Sequence, residues 1–251
     1  AELLAEVYIC TTPGAPGYGS ANCELYRRDA GSGALHFGFQ VSGRDPRRFE
    51  DVCGDGCRAR IAERWRLLVQ AAEEANDRTS ACAFTAFPAY EYTNSRSISN
   101  RHRNVVFAGR TVPEIPISYY EAPRAFDLWT QLKEQCRDAD DDCDVVVIPH
   151  NANLSNGNLF DPSHADEWGI DRRRFAQLRA EMEPIAEIFQ HKGDSECRNG
   201  FPSVDAPEDP HCTFEKLRPD TDETCGDPAG SGGMRLGGCS HRRDFLRNVL
   251  K

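Results

Sequence analysis

The chain has 251 residues, a formal net charge of −10 at pH 7 and a hydrophobic fraction of 39%. Its length suffices for the core of one α/β domain, and its composition is that of a globular protein. The negative charge argues against nucleic acid or an anionic membrane as the main partner. No apolar run approaches the roughly 18 to 20 residues that a membrane-spanning helix requires. We therefore predict no transmembrane segment.

Eleven cysteines are the strongest signal in the composition. They lack paired Cys-x2-Cys spacings, which disfavours metal knuckles and favours disulfides. Proximity along the chain suggests five pairs: Cys10–Cys23, Cys53–Cys57, Cys136–Cys143, Cys197–Cys212 and Cys225–Cys239. Cys82 is left over, and its apolar neighbours predict a buried free thiol.

This cysteine content indicates an oxidising, extracytoplasmic location: periplasm, cell surface or medium. The first residue is Ala1 rather than Met, and no signal-peptide pattern follows it. We expect either that a leader has been removed or that the chain is a segment of a longer one.

The N-terminal portion, residues 1–57, is rich in Gly, Pro and Ser and is predicted to be mostly loops. His36 has no acidic or histidine neighbour, so we interpret it as a structural residue. Apolar residues then recur at helical spacing and predict a helix over residues 58–76.

Strands are predicted next at residues 82–87 and 102–107, with an extended surface crossing at 110–122. A second helix is predicted over residues 123–136. The Asp-rich residues 138–144 lack the glycine and the terminal glutamate of an EF-hand loop, so we interpret them as a solvated loop.

The central strand is predicted at residues 145–148, where four apolar residues follow one another. Pro149 cannot donate to a strand ladder and should end it. A dense set of short polar side chains follows: His150, Asn151, Asn153, Ser155 and Asn156. They form either a ligand-binding loop at a strand end or a turn that satisfies its own backbone.

A third helix is predicted over residues 171–183 and a short strand over 184–189. Residues 198–238 show little periodicity, and residues 240–251 are predicted to form an amphipathic helix. Alternating strands and helices favour an α/β fold with parallel pairing. We expect a single domain over residues 1–251, with a barrel-like core at 58–197 and a loop region with the C-terminal helix at 198–251.

Predicted strand ends carry the groups from which zinc, manganese and iron sites are built. They are Glu91 with His102, then His150, then Glu187 with His191 and Lys192. Without further information, each histidine is more often a hydrogen-bonding residue than a ligand.

Three blocks resemble the DUF3604 family: residues 102–107, 149–157 and 183–197. The similarity runs from about residue 50 to the C-terminus, and the His-Arg-Asn-Val and Pro-His-Asn-x-Asn blocks are distinctive. Members of this family are often exported and are related to the PHP (polymerase and histidinol phosphatase) metal-dependent phosphoesterases. The resemblance implies a distorted (β/α) barrel with a metal site of two or three ions at the carboxyl ends of its strands.

The resemblance also implies roles for individual residues. Glu91 corresponds to a bridging carboxylate, and His102 and His150 to metal-binding histidines. Asn104, Asn151 and Asn153 would support the ligands or face the substrate. Glu187, His191 and Lys192 match the family block without an implied role.

Several family features are missing from this chain. PHP proteins open with a His-x-His pair, add an Asp-His pair and close with Asp-x-His, and none of these occurs in the expected places. We therefore predict an incomplete barrel: either a segment of a longer protein or a relative that has lost part of the site.

Two functions from different classes remain open at this stage. The first is an extracytoplasmic metal-dependent hydrolase of phosphoesters, with a divalent zinc, manganese or iron cofactor and a small anionic substrate. The second is a non-catalytic, disulfide-braced scaffold or subunit, in which a partner chain completes the barrel or covers exposed strand edges. A module with a single metal or calcium ion on the same three residues is a third option.

Overall fold

The structure is a computed structural model that describes residues 1–40, 43–201, 209–218 and 223–249. The chain forms two compact units, one of residues 1–93 with 105–146 and one of residues 94–104 with 147–251. The helices are α1 Leu4–Thr11, α2 Ala21–Arg28, α3 Ala30–Gln40, α4 Glu50–Cys53, α5 Cys57–Ala75, α6 Ala125–Leu132, α7 His164–Glu167 and α8 Arg172–Met182. The strands are β1 Ala89–Tyr92, β2 Arg103–Phe107, β3 Val145–Pro149, β4 Phe189–Gln190 and β5 Gly193–Asp194.

The mixed α/β class is confirmed, whereas a closed barrel is not seen in the described residues. β1, β2 and β3 form one sheet in that order, and β4 pairs with β5. The backbone N–H of Phe107 donates to the Pro88 carbonyl, and that of Arg101 donates to the Asn94 carbonyl, both at 2.9 Å. Residue numbers rise along β1 as they fall along β2, so these strands are antiparallel.

β3 is also antiparallel to β2. The Ala108 N–H donates to the Asp144 carbonyl at 2.9 Å, and the His150 N–H donates to the His102 carbonyl at 3.3 Å. The predicted parallel pairing is therefore wrong for these strands. The connection from β1 to β2 is about ten residues long, which is shorter than a parallel crossover requires and suits an antiparallel return.

In the first unit, α5 confirms the helix predicted over residues 58–76. Trp65 is almost fully buried, and its ring lies 5.6 Å from that of Tyr90 and 5.9 Å from that of Phe107. Its Nε1 donates to the Pro113 carbonyl at 3.0 Å. The apolar stripe of the helix thus packs on the side chains of β1 and β2.

The loop-rich prediction for residues 1–57 is wrong, because α1 to α4 occupy most of this portion. Helices this short are marginal on their own, and their stability comes from packing that local composition does not reveal. Phe37 and Val52 share a small core with the Cys10–Cys23 disulfide. His36 lies in α3, and its Nε2 is 2.8 Å from Asn22 Oδ1, which fits the structural interpretation.

The predicted strand at residues 82–87 is also wrong. The Asp77 carboxylate accepts hydrogen bonds from the N–H groups of Thr79 and Ala83 and holds a turn in which Cys82 has a φ of +45°. The turn lies at the surface, so Cys82 is exposed rather than buried. Local apolar composition predicted a core strand, but the turn chemistry of Asp77 prevails.

Residues 110–122 were predicted to cross the surface, but their apolar side chains are largely buried. Ile117 and Tyr119 are almost fully buried, and the Ile117 N–H donates to the Tyr90 hydroxyl at 3.1 Å. The prolines prevent regular structure without preventing burial. The predicted second helix is confirmed as α6, which continues into a π-helical turn, Lys133–Arg137.

In the second unit, α8 confirms the helix predicted over residues 171–183. The strand predicted over 184–189 is wrong, apart from Phe189 in the short β4. One backbone hydrogen bond joins the preceding segment to β3, from the Glu187 N–H to the Pro149 carbonyl at 3.1 Å. A single bond does not make a strand ladder. Apolar β-branched residues therefore remain at the surface here.

The C-terminal helix is also not formed in the described residues, where two 3-10 turns, Arg242–Asp244 and Leu246–Asn248, occupy its place. The Asp244 carboxylate accepts a hydrogen bond from the His241 N–H and thereby caps the first turn. Leu250 and Lys251, and parts of the predicted loop region at 202–208 and 219–222, lie outside the described residues.

Five disulfides join the same pairs that proximity suggested: Cys10–Cys23, Cys53–Cys57, Cys136–Cys143, Cys197–Cys212 and Cys225–Cys239. Each closes a loop inside one unit. No helix in the described ranges has both the length and the apolar character to cross a bilayer.

Candidate metal centre

Three side chains converge at one edge of the β1–β3 sheet, namely the edge at which β1 and β3 end and β2 begins. Glu91 lies in β1, His102 directly precedes β2 and His150 directly follows β3. Their potential ligand atoms all lie within 4.8 Å of one another. Because neighbouring strands are antiparallel, the end of β1, the start of β2 and the end of β3 meet at the same edge. The family resemblance implied these three residues as ligands, but at the carboxyl ends of parallel strands.

His102 is held from two sides. Its ring Nε2 lies 2.8 Å from the Ser95 hydroxyl, and its backbone N–H donates to Asn100 Oδ1 at 2.9 Å. In the tautomer that carries its proton on Nε2, the His102 ring donates to the Ser95 hydroxyl. The lone pair of the ring is then on Nδ1. Such an outer partner fixes the tautomer and the orientation of a metal-binding histidine.

His150 is held next to His102. The backbone bond between the two residues ties the end of β3 to the start of β2, and both side chains are buried. Their ring centroids lie 5.9 Å apart with the planes nearly perpendicular, at 81°. The two imidazoles are therefore in a defined relation, whereas Glu91 is exposed at the sheet edge.

Asn151 follows His150 in the left-handed conformation, with a φ of +52°. Its N–H donates to Glu187 Oε1 at 3.2 Å, so the predicted residue Glu187 supports this turn. The Asn151 side chain is fully buried, and neither of its amide atoms has a hydrogen-bond partner within the described part of the chain. A buried amide in this state costs about 1–3 kcal/mol.

Asn153 is more firmly engaged. Its N–H donates to the Ser195 hydroxyl at 3.1 Å and its Nδ2 to the Lys192 carbonyl at 2.8 Å, while Oδ1 has no partner among the described residues. Lys192 thus contributes here through its backbone. His191 and Asn104 are exposed and stand outside the cluster of potential ligands.

The rest of the Asn-rich loop is built into the fold. Asn156 accepts from the Ser99 hydroxyl at 2.9 Å and from the Gly233 N–H at 2.6 Å, and it donates to the Cys239 carbonyl at 2.5 Å. The sequence did not single out Ser95 or Ser99, which lie in the polar loop before β2. In the sequence, only their position a few residues before His102 indicates that they could support a ligand.

A buried carboxylate anchors the same loop and was also missed. Asp244 accepts from the Ser155 hydroxyl at 2.7 Å, the Gly157 N–H at 2.6 Å and the His241 N–H at 2.9 Å. Burial raises the pKa of Asp244 to about 6, against the lowering effect of these bonds. The pKa of His241 is lowered by burial and by Arg243.

A second group of potential ligands lies in the first unit, where Glu6, Cys53 and Cys57 come within 4.8 Å of one another. The two sulfurs are joined in a disulfide. A metal requires thiolate sulfur, so this group is not a candidate in the oxidised protein.

Comparisons with known proteins show one family match. No curated protein and no solved structure matches the chain. The family model described as "Protein of unknown function (DUF3604)" matches residues 39–245, a range that contains all three converging side chains. This range covers most of the chain, and the protein therefore belongs to the DUF3604 family.

Proposed function

We propose that the protein is a metal-dependent hydrolase acting on phosphoesters, with Glu91, His102 and His150 as metal ligands. The convergence of these three side chains is the observation that carries the proposal. Two imidazoles and one carboxylate suit zinc, manganese or iron better than magnesium or calcium, which prefer oxygen ligands alone. The relation of DUF3604 to PHP phosphoesterases, which the sequence resemblance implied, supports the choice of phosphoester substrates.

The residues around the cluster fit this role. Ser95 holds the His102 ring through Nε2, and Glu187 holds the turn that follows His150. The buried amide of Asn151 offers an NH2 group with two N–H donors beside His150, which suits the oxygens of a small anionic substrate. A bound divalent cation would lower the pKa of a coordinated water and polarise a phosphoryl oxygen.

The test is metal content, followed by activity. We expect the purified protein to hold zinc, manganese or iron by elemental mass spectrometry and to hydrolyse p-nitrophenyl phosphate. His150→Ala should lose both the metal and the activity with little loss of stability. His191→Ala is the matched control, because His191 is exposed and outside the cluster, and it should retain both. Unchanged metal content in His150→Ala would contradict the proposal.

A disulfide-braced scaffold is the second candidate, and one observation favours it. Asn156 lies in the resembling block 149–157 and uses its amide to hold a neighbouring loop, so part of this block has a structural role. This candidate predicts no transition metal in a protein whose ten paired cysteines are oxidised, and a partner chain that remains bound on purification. Five disulfides fit an extracytoplasmic location for either function, in the periplasm, at the cell surface or in the medium.

A further inference from the structure

A groove in the second unit is lined by other residues than the three converging side chains. Its walls are α8, the segment 184–188 and the C-terminal turns, and Pro149 and Phe160 also line it. Its volume is about 880 Å³. That is within the range of sites that bind small organic molecules, roughly 300–1,000 Å³.

The walls of the groove are largely apolar. Ile185 and Ile188 are 54% and 51% exposed, although both are large β-branched residues. Ala176 and Ala180 on α8, Leu246 and Val249 add apolar surface to the groove. Such a concave apolar surface gains free energy when an apolar molecule displaces its water.

Four arginines and two glutamates, Glu183 and Glu196, are among the residues that line the groove. Three of the arginines form ion pairs: Arg179 with Glu183, Arg243 with Asp161, and Arg247 with both Glu196 and Asp209. Arg242 is exposed and has no ion pair to any residue that the structure describes.

From these observations we propose that the groove binds an amphiphilic anion: an apolar chain or ring that carries one negatively charged head. The apolar body lies against Ile185, Ile188 and the α8 alanines, and the head group lies near Arg242. Charge complementarity selects this ligand, because an anionic head is attracted by the positive charge of Arg242 and a cationic head is repelled by it. The inference does not depend on the proposed metal site.

The probes are saturated carboxylates below their micellar concentration, measured by titration calorimetry. Dodecanoate is expected to bind with a stoichiometry of one, and decanoate more weakly, by up to about fourfold for each missing methylene. Dodecyltrimethylammonium has the same chain with the opposite charge and is expected to bind at least about tenfold more weakly.

Two variants locate the site. Arg242→Glu reverses this exposed positive charge and should weaken dodecanoate binding about tenfold or more. Ala180→Trp fills the groove and should abolish binding. Arg66→Glu, an exposed charge reversal on α5 in the other unit, is the matched control and should bind like the unaltered protein. Because Arg242 is exposed, its variant keeps the test valid even if the tryptophan variant fails to fold.

Three outcomes would overturn the proposal. They are equal binding of the cationic and anionic probes, binding unaffected by Arg242→Glu, and no binding of any carboxylate. Sedimentation gives an independent check: a dimer that Ala180→Trp dissociates would show that a second copy of the chain covers the groove instead.

Discussion

At the residue scale, two asparagines of the same loop share a backbone conformation but differ in the hydrogen bonds of their side chains. Asn151 and Asn156 both have a left-handed φ, +52° and +51°, and both are fully buried. Asn156 makes three side-chain hydrogen bonds, whereas the Asn151 amide makes none to the described residues. Asn156 is therefore a structural residue. Burial of the Asn151 amide costs desolvation free energy that no hydrogen bond to the described residues offsets.

Replacing each asparagine by glycine separates these roles. Glycine accepts the left-handed conformation at both positions, so backbone strain does not differ. Asn156→Gly leaves buried partners unpaired and should lower the free energy of unfolding by about 2–4 kcal/mol. Asn151→Gly should change it by less than about 1 kcal/mol, because no hydrogen bond is lost.

Urea unfolding of the two variants measures this difference. On the proposed function, Asn151→Gly should also weaken substrate binding while metal content stays unchanged. Equal losses of stability in the two variants would contradict the assignment of a structural role to Asn156 alone.

At the element scale, the first C-terminal 3-10 turn is fastened to the Asn-rich loop by Asp244. Its carboxylate joins His241 in the turn to Ser155 and Gly157 in the loop. The carboxylate is fully buried and its pKa is raised to about 6 from an ordinary value of 3.8. The folded state therefore holds the proton more tightly than the unfolded state.

This difference predicts a pH dependence of stability. The contribution of Asp244 is fully present below about pH 4 and is lost as the pH rises through about 6. The difference in unfolding free energy between the unaltered protein and Asp244→Asn should fall by about 2 kcal/mol from pH 4.5 to 7.5. Urea unfolding at both pH values measures it.

Asp141→Asn, at an exposed position in the Asp-rich loop, is the control and should show no such change. The Asn variant at position 244 also loses an acceptor for the His241 N–H, but that loss is the same at every pH. A pH-independent difference would mean that Asp244 does not titrate in this range.

Elements with a long periodic pattern were predicted well, and short ones were not. α5 and α8 show apolar residues at helical spacing, and β3 is a continuous apolar run that ends at a proline. α1 and α2 have eight residues each, too few for a clear pattern, and they depend on a shared core and a disulfide. The apolar segment 184–189 resembled a strand, but a strand also needs a hydrogen-bonding neighbour along its length.

At the scale of the whole molecule, disulfides brace both units. Three lie in the first unit and two in the second, and each spans between 4 and 15 positions of sequence. Ten of the eleven cysteines are therefore paired, and Cys82 is free and exposed. In the chain-entropy estimate, the longest of these loops stabilises the fold by about 3 kcal/mol.

Thiol titration checks this arrangement directly. The native protein should react with one equivalent of Ellman's reagent, at Cys82, and Cys82→Ser should not react. Full reduction in denaturant should expose all eleven thiols. More than one reactive thiol in the native protein would show that some of the five pairs are not formed.

Features that depend on near neighbours could be predicted from the sequence. These are the long helices, the central strand, the five cysteine pairs and the residue types of the candidate site. The cysteine pairs were predicted from proximity along the chain, and periodicity along one element does not depend on its partners.

The way in which distant segments meet became known from the three-dimensional structure. It placed Glu91, His102 and His150 at one sheet edge through antiparallel pairing, which no local pattern distinguishes from parallel pairing. It also gave Asn156 three partners from remote loops and left Asn151 without one among the described residues. Hydrogen bonding and burial of a side chain depend on residues far away in sequence, and for that reason identical residue types in one loop take different roles.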